Sequence, residues 1–219
     1  MAHLQYAIDV TDEAQALRLA RLAHDNGVQW VEAGHVLVKA VGVSIVTKFK
    51  EIFPDGVVVA DMKTMDMGAE EVRVAAKAGA DVVMICGGAA SDGVVHAAVN
   101  EAKLAGVRLT ASLMGVRDQY TRAMELDSMG LDFILAHRGI DDTFEWFDPE
   151  NLRVLERMVA DVKTPLAIGG SITEAKYPIL QDLGFSIIIS GRGITEAADP
   201  GQAAKRLVEL ASKSSALQR

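Results

Sequence analysis

Val57-Val58-Val59-Ala60-Asp61-Met62-Lys63-Thr64-Met65-Asp66-Met67-Gly68 starts with four apolar residues, passes through a charged segment and enters a helix-patterned run, Gly68 to Ala78, that stops at Gly79. A strand with no polar face is one buried on both sides, as in a parallel sheet covered by helices. A glycine just past a helix supplies the left-handed C-terminal cap. This β-then-α unit recurs along the chain. Further short apolar runs lie at Leu4–Ile8, Trp30–Ala33, Asp81–Ile85, Val107–Leu113, Phe133–Ala136, Pro165–Ile168 and Ser186–Ser190. Helix candidates fall between them. Thr11 to His24 opens on Thr11 and Asp12 as caps; Ser91 to Ala105 ends at Gly106, and Arg117 to Met129 ends at Gly130. Asp148-Pro149 places a cap before a proline suited to the first helical turn. Eight units, repeating about every 27 residues, predict a closed (β/α)8 TIM barrel; an open doubly wound sheet is the alternative.

The chain has 219 residues, half of them hydrophobic, with 19 Gly and 5 Pro, which suits one packed domain over residues 1–219 with a polar tail after about residue 210. One cysteine, Cys86, excludes a disulfide framework and a Cys-based zinc site, and fits a cytoplasmic setting. A net charge of −8 is not the footprint of a nucleic-acid-binding protein. No apolar run nears the ~20 residues of a membrane span, and the N-terminus lacks the pattern of a signal peptide.

In a barrel of this kind the site forms where the strands end. The residues closing the runs are therefore the candidates: Asp9, Glu32, Asp61 with Lys63, Ser112, His137, Gly169-Gly170-Ser171 and Gly191-Arg192-Gly193. Strand alternation puts Asp61 and Lys63 on one face, where they can pair. A lysine fixed between carboxylates stabilises a developing oxyanion; an ordinary strand-end ion pair, with Asp66 capping the next helix, is the alternative. A carboxylate inside the buried Trp30-Val31-Glu32-Ala33-Gly34 needs a cation. Either Glu32 and Asp61 hold Mg²⁺ completed by substrate and water, or Glu32 pairs with Lys63 or Lys39. His137 suits proton transfer, and His35 is a second candidate for the mouth. Two glycine turns after the last two strands, one carrying Arg192, point to a phosphate. Met62, Met65 and Met67 read as packing residues, and Trp146 as packing for the loop after the sixth strand.

Taken together, Asp61-Met62-Lys63-Thr64-Met65-Asp66 resembles the Asp-x-Lys-x-x-Asp signature of the orotidine 5′-monophosphate decarboxylase superfamily. Its KTMD form is similar to the 3-hexulose-6-phosphate synthase and 3-keto-L-gulonate-6-phosphate decarboxylase branch. Leu4-Gln5-Tyr6-Ala7-Ile8-Asp9, Trp30-Val31-Glu32-Ala33-Gly34 and His137-Arg138-Gly139-Ile140-Asp141 agree, so the likeness runs from about residue 4 to 210.

The resemblance implies a Mg²⁺-dependent lyase of ketose phosphates. Glu32 and Asp61 would hold Mg²⁺, Lys63 would stabilise a cis-enediolate, His137 would move protons and Asp9 would position hydroxyls. Gly170, Gly191 and Arg192 would hold the phosphate. It also implies a homodimer, with Asp66 entering the partner's site. Ser112 stands where the branch usually has Asp or Glu, and His35 where the synthases usually have Thr, both at the substrate end. The leading expectation is the aldol reaction of formaldehyde with ribulose 5-phosphate, in either direction. The alternatives are decarboxylation of a 3-keto sugar-acid phosphate and a non-catalytic sugar-phosphate-binding barrel.

Overall fold

The computed structural model describes residues 2–213. Its eight strands are β1 (His3–Ile8), β2 (Trp30–Ala33), β3 (Val57–Thr64), β4 (Val82–Ile85), β5 (Arg108–Ser112), β6 (Phe133–His137), β7 (Leu166–Gly169) and β8 (Ile187–Ser190). They pair in parallel and in chain order, and β8 pairs with β1, so the sheet closes on itself. This is the (β/α)8 barrel expected from the repeat. The helices are α1 (Glu13–Asp25), α2 (His35–Val41), α3 (Ser44–Ile52), α4 (Gly68–Lys77), α5 (Asp92–Ala105), α6 (Gln119–Leu126), α7 (Pro149–Asp161), α8 (Tyr177–Leu183), α9 (Arg192–Thr195) and α10 (Pro200–Ser212). Among the described residues no helix is long and apolar enough to cross a membrane.

Strand period sorts the apolar residues into two cores. Tyr6, Ile8, Val31, Val58, Ala60, Val83, Ile85, Leu109, Ile134 and Ile168 point outward and pack with the helices. Ala7, Trp30, Val59, Val82, Met84, Leu135, Ala167, Ile187 and Ile189 fill the barrel. Local signals set the helix ends. Asp12 caps α1, its carboxylate accepting from Gln15 N–H, and Asp148 precedes Pro149 in the first turn of α7. Gly106 ends α5 with a left-handed backbone, φ 70°.

One end of the barrel is plugged. The Arg108 guanidinium lies 4.7 Å from the Trp30 ring centroid and 5.7 Å from that of Phe133, and His3 stacks on Trp30 at 5.2 Å. All three contacts come from the N-terminal ends of strands. The open mouth is the opposite end, where the chemistry-bearing side chains gather.

Three details depart from the sequence reading. Strand β3 continues beyond the apolar run that ends at Ala60, to Thr64. Helix α10 runs on to Ser212, into the polar stretch after residue 210; residues 214–219 lie outside the described residues. Met62 packs against the core, but Met65 and Met67 do not pack as expected: they are 59% and 61% exposed.

Candidate active site

Lys63 and Asp61 pair as the sequence suggests, but not by simple alternation. Asp61 lies opposite Met84 and Thr64 opposite Ile85, so Met62 and Lys63 bulge out of the ladder with β4. Lys63 has φ 46°, a left-handed backbone that costs a non-glycine residue about 1–2 kcal/mol. The bulge brings Lys63 Nζ to 2.8 Å from Asp61 Oδ2. Strained backbone of this kind concentrates where a side chain must be aimed. Burial pulls the Lys63 ammonium down, but the charges and hydrogen bond of Asp61, with Glu32 and Asp9, outweigh it and raise its pKa.

Asp9 follows β1 and lies against Gly34, where any Cβ would strike the Asp9 carboxylate. That contact explains the glycine between β2 and α2. His35, the first residue of α2, places Nδ1 3.6 Å from Asp9 Oδ1 and 3.7 Å from Asp61 Oδ2. Burial, then the Lys63 charge, lowers the His35 pKa against the pull of Asp61. Glu32, on the inner face of β2, is only 4% exposed. Burial and the charges of Asp61 and Asp9 push its carboxyl well above the usual range. Asp9 is also raised, by burial and by Asp61.

The alternative pairing of Glu32 with Lys63 or Lys39 is not found among the described residues. Lys63 is bound to Asp61, and Glu32 Oε2 instead accepts a 2.5 Å hydrogen bond from Gln5 Nε2.

His137 closes β6. Its Nδ1 shares a 2.8 Å hydrogen bond with Ser112 Oγ, the last residue of β5, and Met114 N–H also approaches Ser112 Oγ at 3.3 Å. Gln119 grips the His137 backbone from both sides: its Nε2 donates to the carbonyl at 2.8 Å and its Oε1 accepts from the N–H at 3.1 Å. Burial, with the nearby Lys63 and His35, lowers the His137 pKa to about 3, so the ring is neutral at physiological pH.

The loops after β7 and β8 lie against each other. Ser190 Oγ donates to Ile172 O at 3.1 Å, and a Cβ on Gly193 would come within 2.7 Å of the same carbonyl. Gly170 has φ 103°, and a Cβ there would collide with Arg138 O. The Arg138 side chain is buried and donates to Ser171 Oγ at 2.7 Å, to Asp142 O at 2.7 Å and to Phe144 O. Trp146 is buried as expected for packing, and its Nε1–H donates to Gly169 O at 3.0 Å. Arg192 is exposed and forms no ion pair among the described residues.

The structure therefore gathers Asp9, Glu32, His35, Asp61 and Lys63 into one cluster, with His137 and Ser112 facing it. Gly170, Gly191 and Arg192 close β7 and open α9. Asp66 stands apart: it is exposed, and its Oδ1 accepts from Met67 N–H at 2.7 Å. Gln5, Gln119 and Arg138 complete the site without having been singled out in the sequence. Gln5 left a signal as an amide inside the apolar Leu4–Ile8 run, and Arg138 as the neighbour of His137 in the quoted motif.

The cluster fits a cation. Asp61 Oδ1 is buried with no hydrogen-bond partner among the described residues. Ionised, Asp9, Glu32 and Asp61 against one ammonium leave two uncompensated negative charges, which is the charge of one divalent ion. No three His, Cys, Asp or Glu side chains among the described residues form a metal-binding group by themselves. Two carboxylates with open positions are the arrangement that Mg²⁺ shares with substrate and water.

Comparison with known proteins places the chain. Residues 2–207 match the model of the orotidine 5′-phosphate decarboxylase / HUMPS family. The 3-hexulose-6-phosphate synthase of Mycobacterium gastri is 36% identical over 205 residues, covering 93% of this chain and 97% of that protein. The Bacillus subtilis (strain 168) enzyme of the same name is 34% identical over 208 residues, 94% of this chain and 97% of its own. A crystal structure of 3-hexulose-6-phosphate synthase superposes with a TM-score of 0.87 at 36% identity, covering 95% of this chain and 99% of that one.

Proposed function

The chain belongs to the orotidine 5′-phosphate decarboxylase / HUMPS family, and on that footing we propose that it is a carbon–carbon lyase of ketose phosphates, a 3-hexulose-6-phosphate synthase joining formaldehyde to ribulose 5-phosphate or reversing that reaction. The observation that carries the reading is Lys63 Nζ, raised by a strained bulge to 2.8 Å from Asp61, in a cluster with Glu32 and opposite a neutral His137.

The chemistry follows from those positions. The phosphate lies between the loops after β7 and β8, against Gly170, Gly191 and the unpaired Arg192. Asp9, beside His35, binds sugar hydroxyls. The His137 imidazole, neutral above about pH 3, accepts the proton leaving the terminal carbon. The electron pair released makes an enediolate, whose oxygen the Lys63 ammonium stabilises. That carbon attacks formaldehyde, and the new alkoxide takes the proton back from His137. Ser112 and Gln119 hold the imidazole through its Nδ1 and its backbone. Glu32 and Asp61 would hold Mg²⁺, which supplies positive charge beside the developing oxyanion. Asp66, exposed at the start of α4, serves the partner's site in a homodimer. We place the enzyme in the cytoplasm, where the single Cys86 stays reduced.

Incubation with ribulose 5-phosphate in D₂O tests this directly. The C1 protons should exchange in Mg²⁺ and stop exchanging in EDTA, and added formaldehyde should then yield the six-carbon product. Absence of exchange in both conditions would overturn the reading. Exchange without formaldehyde addition, together with turnover of 3-keto-L-gulonate 6-phosphate, would move the assignment to the decarboxylase.

A further inference from the structure

Glu32 faces into the barrel, and the residues directly opposite it on the two neighbouring strands have no side-chain donor. Ala7 lies opposite it on β1 and Val59 opposite it on β3. The nearest ammonium, Lys63, is engaged with Asp61. Among the described residues, the side-chain hydrogen bond to Glu32 comes from below. Gln5 shares the inner face of β1 with Ala7, one pleat nearer the plugged end, where its own opposite residue is Trp30. Ala7 presents only a methyl group at the level of Glu32, which leaves room for the Gln5 amide to pass it. Gln5 is 3% exposed, and its Nε2 donates to Glu32 Oε2 at 2.5 Å.

We infer that Gln5 is the positioning residue of the cation site: it ties down one oxygen of Glu32 and thereby aims the other toward the ion shared with Asp61. The inference rests on the assignment of Glu32 and Asp61 as holders of the cation. Without the tie, Glu32 keeps its place on the strand but loses its orientation, since neither Ala7 nor Val59 can restrain the carboxylate. A hydrogen-bonded group behind a metal ligand typically contributes 10- to 100-fold in metal affinity.

The test uses the whole chain and Mn²⁺ as the probe, with free Mn²⁺ read by electron paramagnetic resonance in the absence of substrate. Gln5→Leu is an apolar replacement in an apolar layer, and Gln5→Met is a second in case the branched side chain disturbs packing. Both should weaken Mn²⁺ binding by roughly 10- to 100-fold. In a Glu32→Gln background the same changes should leave Mn²⁺ affinity unmoved, because Gln5 acts only through Glu32. Unchanged affinity in the single variants would overturn the inference. So would an equal loss in the Glu32→Gln background, which marks a packing role. If the unaltered protein binds no Mn²⁺, the cation assignment fails first and takes this inference with it.

Discussion

Arg192→Ala separates binding from folding at the phosphate end of the site. Arg192 is exposed, opens α9 and pairs with no carboxylate among the described residues, so nothing in the fold depends on its guanidinium. Surface changes of that kind move stability by no more than about 0.5 kcal/mol, or under about 2 °C in Tm for a chain of this size. The phosphate dianion, by contrast, loses a charged hydrogen-bonding partner. Such a bond contributes about 1.5–3 kcal/mol, and at about 1.4 kcal/mol per tenfold the loss is roughly 10- to 150-fold in affinity. Solvent screening at an exposed side chain favours the lower half of that range. The assay is the inhibition constant of inorganic phosphate, which reports binding without chemistry, beside KM and kcat for ribulose 5-phosphate. Expected are a roughly tenfold or greater rise in both KM and the inhibition constant, a nearly unchanged kcat and an unchanged Tm. Arg192→Lys, which keeps the charge but not the fork, should fall between. An unchanged inhibition constant would refute the placement of the phosphate beside Arg192, and a drop of several degrees in Tm would show that the side chain serves the fold.

His137 makes a prediction in pH. Its folded pKa of about 3 lies below the 6.5 of the free side chain, so between those values the unfolded chain binds the proton and the folded one does not. Its contribution therefore destabilises the fold increasingly as pH falls from about 6.5 toward 3. Asp9 and Glu32, whose pKa values are raised, act in the opposite sense. The difference in Tm between His137→Gln and the parent should thus shift in favour of the variant below pH 6.5; a difference constant with pH would contradict a buried neutral imidazole. Ser112→Ala should lower kcat by a few- to tenfold, the worth of one hydrogen bond to His137, with KM little changed; an equal loss in the His137→Gln background would show that Ser112 acts elsewhere. Lys63→Ala and Asp66→Ala, each inactive alone, should regain about a quarter of full activity after refolding together, because half the dimers are mixed and each mixed dimer holds one intact site; no recovery would place Asp66 outside the partner's site.

The barrel was legible because its signals are local and repeated. Each apolar run is a strand buried on both faces, and Gly79, Gly106 and Gly130 mark helix ends that periodicity alone leaves open. The site was legible only as far as strand ends point to a shared mouth. That rule finds Asp9, Glu32, Asp61, Lys63, Ser112 and His137, since it needs only strand order. It cannot find the bulge at Met62 and Lys63, because alternation assumes a regular ladder and the shift is set by pairing with β4. Nor could it show who satisfies Glu32. A lysine was the obvious partner by charge, whereas the neutral Gln5 wins by geometry, rising past the small Ala7. Gln119 is invisible for a related reason. Its helix is built like any other, and only the folded chain shows that its amide substitutes for a strand neighbour of His137.

Backbone strain carries the remaining argument. The left-handed non-glycine residues among those described are Lys63, Met67 and Ser171, and all three lie in the segments that follow the apolar parts of β3 and β7, at the mouth. Lys63 and Ser171 have functions that account for their strain: one meets Asp61, the other accepts from Arg138. Met67 turns the chain into α4 and its N–H donates to Asp66 Oδ1, but its side chain is 61% exposed beside the exposed Asp66. Met67→Gly makes that position decisive. For a solvent-facing residue, glycine removes about 1–2 kcal/mol of left-handed cost and adds about 0.5–1 of chain entropy, so stability would rise slightly. If the partner subunit covers Met67 as it receives Asp66, the variant also forfeits about 1.5–3 kcal/mol of apolar burial, and the sign reverses. The homodimer proposed above requires the second result: a lower Tm that depends on protein concentration. A higher, concentration-independent Tm would show that Met65, Asp66 and Met67 face solvent, and would remove Asp66 from the catalytic apparatus.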